Sequence, residues 1–184
     1  MLALRPLLPL LLLTTADLAL SALLNVTAVG AHEGRSRFEC WELSAPFVSS
    51  SQPGIAGTQT TSLGDVANIT YNVVPAGFES PFHTAPVNQW VIVLTGLAIL
   101  TLPDNSSYAA SALAASGELG LLFAADTPDV SDLGHGGYFP GAGETVFVQI
   151  PTRGGGVPEH RVVSDQGPCG PQQFVQLRAW ATES

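Results

Sequence analysis

WVIVLTGLAILTL, residues 90–102, is the most apolar run beyond the N-terminal region. Thirteen residues are too few for a helix that spans a bilayer, which takes about 20. Gly96 stands at the middle of the run. A glycine there predicts two buried strands joined by a hairpin or sharp bend. The flanking sequence supports strands. NITYNVV (68–74) alternates apolar and polar side chains, is rich in β-branched and aromatic residues, and is closed by Pro75-Ala76-Gly77. FECWEL (38–43) alternates in the same way. LGLLFAAD (119–126), ETVFVQI (144–150) and PQQFVQLRAW (171–180) each read as strands. Residues 44–66, rich in Ser, Gly, Thr and Pro, read as loop, YAASALAAS (108–116) as a helical turn or loop, and Gly154-Gly155-Gly156 as a flexible turn. Short strands between turn signals, with no long helical period, predict an all-β domain, either a sandwich or a small barrel.

Composition agrees. Of 184 residues, 46 % are hydrophobic and only 11 % charged, with 19 glycines, which suits a compact β protein rather than a solvated helical bundle. The formal net charge is −9, and all six basic residues are arginine. Such a surface repels phosphate backbones and anionic lipid, which argues against nucleic acid and membrane surfaces as partners.

The chain starts with Arg5, an apolar run from Leu7 to Leu13 broken only by Pro9, and then small residues. This is the pattern of a secretory signal peptide. Cleavage is expected between residues 16 and 31, after Ala16, Ala19 or Ala31, so residues 1–31 are assigned to the leader at most and 32–184 to a single domain. No membrane association is expected after its removal. Export to an oxidising compartment predicts a Cys40–Cys169 disulfide. It makes Asn68-Ile-Thr and Asn105-Ser-Ser glycosylation acceptors, joined by Asn25-Val-Thr if cleavage is early.

One spacing is informative. Gly77 is followed after five residues by His83, then Ala85 two further on, Gln89 and Gly96. This resembles the first motif of the cupins, in which a glycine, two histidines, a glutamate and a second glycine occur at those intervals. LLFAADTPDVSDLGHGGYFPGAGETVFVQIP (121–151) resembles the second motif more loosely, with His135 in the position of its histidine. The wording over residues 66–151 is similar to small secreted cupin-domain proteins of filamentous fungi. The resemblance implies a double-stranded β-helix, a jelly-roll barrel, and a homodimer through sheet edges is compatible with it. It also implies a metal site of three histidines and a glutamate, from which this chain departs. Ala85 has no donor atom and Gln89 offers only a neutral carbonyl. His83, Gln89 and His135 are the ligand candidates that remain, with Glu79, Asp126 or Glu144 as acids that could complete a shell. The expected cofactor is none, or one weakly bound divalent metal ion.

Weaker constellations stand beside it. Gly134-His135-Gly136-Gly137 resembles an oxyanion loop but has no nucleophile elbow with it. His32, as a mature N-terminus, could chelate copper. Trp41, Trp90 and Trp180 could stack on a sugar, although core packing is the commoner use. Asp126, Asp129 and Asp132 lack the remaining ligands of a calcium loop. The expectation is a secreted, glycosylated, cupin-like protein that holds a small molecule or glycan in its barrel. The alternatives are a metal-dependent oxidoreductase or isomerase using His83 and His135, and a structural cell-wall protein with a closed cavity.

Overall fold

The computed structural model describes residues 22–103 and 111–174. Thirteen strands are present among them: β1 (Leu23–His32), β2 (Arg35–Pro46), β3 (Val48–Ser49), β4 (Gln59–Thr60), β5 (Thr70–Val74), β6 (Glu79–His83), β7 (Gln89–Thr95), β8 (Leu97–Thr101), β9 (Ser111–Ala115), β10 (Leu121–Ala124), β11 (His135–Tyr138), β12 (Thr145–Pro151) and β13 (His160–Ser164). Helical structure in the described residues is confined to short 3₁₀ turns. The protein is all-β.

Seven strands form one mixed sheet in the order β13-β2-β1-β10-β7-β12-β5, and four form a second in the order β6-β11-β8-β9. Neither sheet closes into a barrel. Both contribute to one buried cluster, in which Val93 and Leu122 of the large sheet meet Ala98 and Ala114 of the small one, with Phe139 beside them. The large sheet has a second core on its outer face, made of Val26, Ala28, Trp41, Leu43, Trp90 and Phe123. Leu63 and Val66, from the polar segment read as loop, pack against that face, and the Trp90 indole N–H donates to the Leu63 carbonyl at 3.1 Å. The loop is therefore the cover of a core, which explains how a strand can be apolar on both faces.

Gly96 makes the sharp bend, and the two strands it joins belong to different sheets. Its φ of 85° is in the left-handed region that glycine adopts without strain. The Thr145 hydroxyl fastens the corner, accepting from the Leu97 N–H at 3.1 Å and donating to the Leu97 carbonyl at 3.0 Å.

Two local expectations are corrected. Residues 111–115 form strand β9, not a helical turn or loop. Ala112 and Ala114 are buried while Leu113 is exposed, so an alanine-rich segment acquires strand alternation by pairing with β8. Residues 171–174 form a 3₁₀ turn rather than a strand, and the rest of the 171–180 expectation lies outside the described residues.

Strand β1 lies between β2 and β10 in the interior of the large sheet, antiparallel to one and parallel to the other. Residues 23–31, assigned to the leader at its latest cleavage site, are thus part of the folded domain, and Val26, Ala28 and Val29 are core residues. The C-terminal turn closes on this region. Cys40 and Cys169 form a disulfide with a Cα–Cα distance of 4.5 Å. Beside it the Cys169 N–H donates to Thr27 Oγ1 at 3.1 Å, and Asn25 Nδ2 donates to the Gln173 carbonyl at 2.7 Å. Asn25 is buried in that contact, so a glycan on it would displace the C-terminal turn. Asn68 is exposed just before β5, and Asn105 lies outside the described residues.

Candidate functional site

The small sheet brings two of the three candidate ligands together. His135 on β11 pairs directly with His83 on β6, and their ring centroids are 4.9 Å apart. The approach depends on Gly134, whose φ is 72°. A Cβ there would lie 1.9 Å from the His83 carbonyl oxygen, so only glycine lets the two segments meet. Two residues on, a Cβ at Gly136 would lie 3.0 Å from Thr101 Oγ1 and 3.1 Å from the Phe82 ring, a tight but milder approach to side chains.

Hydrogen bonding fixes both imidazoles in one protonation pattern. His83 Nδ1 is 2.9 Å from the Pro81 carbonyl, which can only accept, so this nitrogen carries a proton. His135 Nδ1 donates to Asp126 Oδ2 at 2.7 Å. In the neutral form of each ring, Nε2 is left as a lone-pair acceptor. Asp126 is fully buried. Its Oδ2 also accepts from the Ser36 hydroxyl at 2.8 Å, and Ser36 Oγ is 2.7 Å from Ser131 Oγ. The backbone N–H of Gly134 donates to Ser131 Oγ at 3.1 Å. Because Ser36 gives its proton to the carboxylate, Ser131 must give its own to Ser36. The array has one direction: Ser131 to Ser36 to Asp126, with His135 donating to the same carboxylate oxygen. Asp126 Oδ1 is buried without a hydrogen-bond partner among the described residues.

Both histidines border a cavity of about 170 Å³ between the two sheets. Its walls are mostly apolar, with Val91, Val93 and Leu122 on the large sheet, Leu100 on the small one, and Phe139 and Phe147 at the side. Ser80 and Gln149 add polar atoms to the lining.

Gln89 does not join the histidines. It is buried on β7, on the strand face shared with Val91 and Val93, but it lies outside the cavity lining. Ala85 is also buried, and its backbone N–H donates to the Asp126 carbonyl at 3.2 Å, so this position holds the Asp126 segment in place. Of the three acids named from the sequence, Asp126 reaches the site, behind His135 rather than beside its free nitrogen. Glu79 is exposed on β6, and Glu144 lies in the exposed turn before β12. Among the described residues no group of three His, Cys, Asp or Glu side chains could hold a metal ion. Two imidazole nitrogens fall short of the three protein ligands that a catalytic zinc takes, so the residues present do not fit the metal centre that the cupin resemblance implies.

The weaker constellations separate in space. His160 stacks on Trp41 with ring centroids 3.6 Å apart, and His32 is the exposed last residue of β1. Trp41 and Trp90 are core residues with no face open to a sugar, and Trp180 lies outside the described residues. Asp129 accepts from the Thr127 hydroxyl, a hydrogen bond that holds its carboxyl below the ordinary range, and Asp126 is committed to His135. The Ser36–Asp126–His135 array had no sequence signal, because its members come from a strand, a loop and another strand. No family model matches the chain, and no curated protein matches it either.

Proposed function

We propose that the protein is a secreted, cupin-like jelly-roll protein that holds a small, mostly apolar molecule between its sheets. The observation that carries this reading is the pair of imidazoles, each with Nδ1 engaged, that border an otherwise apolar cavity. The walls take the apolar body of the guest, and the two imidazoles take a hydrogen-bond donor of it, such as a hydroxyl. A cavity of 170 Å³ lies below the ~300–1,000 Å³ of drug-sized sites and close to the ~150 Å³ that accommodates benzene. That size and wall chemistry favour a compact aromatic or aliphatic guest over a glycan. The disulfide suits an oxidising compartment, and exposed Asn68 suits N-glycosylation.

Ligand-detected NMR with small phenols and cyclic alcohols tests the reading. Saturation transfer to phenol or cyclohexanol is expected for the native protein, and it should fall when Leu100→Trp fills the cavity. Absence of transfer across such a series would count against a binding cavity. The metal expectation has its own measurement. Calorimetry with Zn²⁺, Mn²⁺ and Ni²⁺ should show no tight one-equivalent site, and tight binding would bring back the metal-dependent alternative.

A further inference from the structure

The proposed binding role explains why the cavity is apolar and why two imidazoles border it. It does not explain why one of the two imidazoles is backed by a fully buried carboxylate. A carboxylate out of water is costly, and Asp126 keeps one oxygen without a partner among the described residues. A hydroxyl or carbonyl would have oriented the ring at lower cost, as the Pro81 carbonyl does for His83. What a carboxylate adds is stabilisation of the imidazolium, the form that His135 takes after accepting a proton at Nε2. The Ser131–Ser36 array donates to the same carboxylate oxygen as His135 and holds it in place.

We propose that Asp126 and His135 form a proton-transfer dyad, and that the cavity isomerises small, weakly polar carbonyl compounds between keto and enol forms. This inference rests on the small-molecule reading above. His135 Nε2 removes a proton from the carbon next to the carbonyl. The electrons of that C–H bond become the C=C bond of the enolate, and the carbonyl π pair moves onto oxygen. His135, now an imidazolium held by Asp126, returns the proton to the oxygen or to carbon, so the step is balanced with no oxidant or second substrate. His83, exposed beside His135, accepts at Nε2 from the enol O–H of the guest and so orients the enol. Asp126 does not touch the guest and is a positioning residue. The buried setting of the Asp126–His135 pair strengthens that interaction.

The test uses the full chain with cyclohexanone and phenylacetone as probes. Exchange of their α-protons in D₂O is followed by proton NMR, and binding by saturation transfer. The native protein is expected to accelerate exchange, and His135→Gln to abolish the acceleration. Asp126→Asn should slow it by at least about 100-fold, the lower end of a general base's contribution, while probe affinity changes far less. A long-range ¹⁵N correlation spectrum should show His135 as the Nδ1–H tautomer in the native protein and as a mixture in Asp126→Asn. A purely structural role for Asp126 would move stability and leave the ratio of turnover to affinity unchanged. Equal exchange by the native protein and His135→Gln, with the probes bound, overturns the dyad and leaves the binding reading intact. If neither probe binds, the binding reading fails and this inference falls with it.

Discussion

A methyl group at Gly134 would sit 1.9 Å from a carbonyl oxygen of the neighbouring strand, and no side-chain rotation relieves a clash with backbone. The site therefore depends on a residue that carries no chemistry. Gly134→Ala is expected to lose more stability than the left-handed backbone conformation alone costs, which is about 1–2 kcal/mol. Gly77→Ala is the control, since Gly77 has a φ of 75° and open space around its Cβ position. Urea denaturation of both variants separates the clash from the backbone term, and equal losses would mean that the β6–β11 approach tolerates a side chain. Gly96→Ala tests the same idea at the sheet corner, where the added methyl would lie 2.5 Å from Thr145 Oγ1 and 2.6 Å from its Cα. At this scale the sequence was partly legible. The interval from Gly77 to Gly96 marked His83, and the looser downstream match marked His135, yet Gln89 proved to lie outside the cavity lining although it keeps the same spacing. A spacing reports which strand face a residue shares, not how far along that face the cavity extends.

Strands with alternating or continuous apolar patterns were legible as elements: β5, β8 and β10 fall within the stretches read as strands, and β2, β7 and β12 overlap them but run beyond their ends. Two strands and one turn that were misread have definite reasons. In β9, alanine favours helix in isolation, and only the pairing with β8 overrides it. Strand β1 is continuous with the apolar N-terminal run, so its core residues read as part of a leader. The C-terminal turn at 171–174 carries strand-like residues but is held by the disulfide and by two hydrogen bonds to β1, which favour a compact turn. That anchoring gives an element-scale prediction. Replacing both Cys40 and Cys169 with serine should cost about 2–5 kcal/mol, the range for native disulfides of small secreted domains. It should also raise amide exchange in residues 169–174 more than in β7 or β10. Denaturant midpoints and hydrogen exchange read the two effects, and a uniform change in exchange would show that the bridge acts only through the unfolded chain.

The proposed leader and the fold make opposing demands on the same stretch of chain. A leader of this kind would be removed, and its apolar core in this sequence ends at Leu13. The large sheet must keep β1, because β2 and β10 both hydrogen-bond to it and its loss would leave two strand edges open inside one sheet. Val26 and Ala28 also fill the outer core against Trp41, Trp90 and Phe123, and Val29 fills the inner one. Full burial of each valine contributes about 1.5–3 kcal/mol, so losing both is comparable to much of a small domain's net stability of about 5–15 kcal/mol. Cleavage after Ala31 is therefore incompatible with this fold, and the mature N-terminus is expected before Leu23, with Ala16 and Ala19 as the cleavage residues that remain. N-terminal sequencing of secreted protein checks the position. A second measurement checks the reason: a chain starting at Leu20 should unfold cooperatively on heating, and one starting at His32 should not. If the His32 chain folds and retains the Cys40–Cys169 bridge, β1 is dispensable, and the order of strands in the large sheet is wrong at its centre.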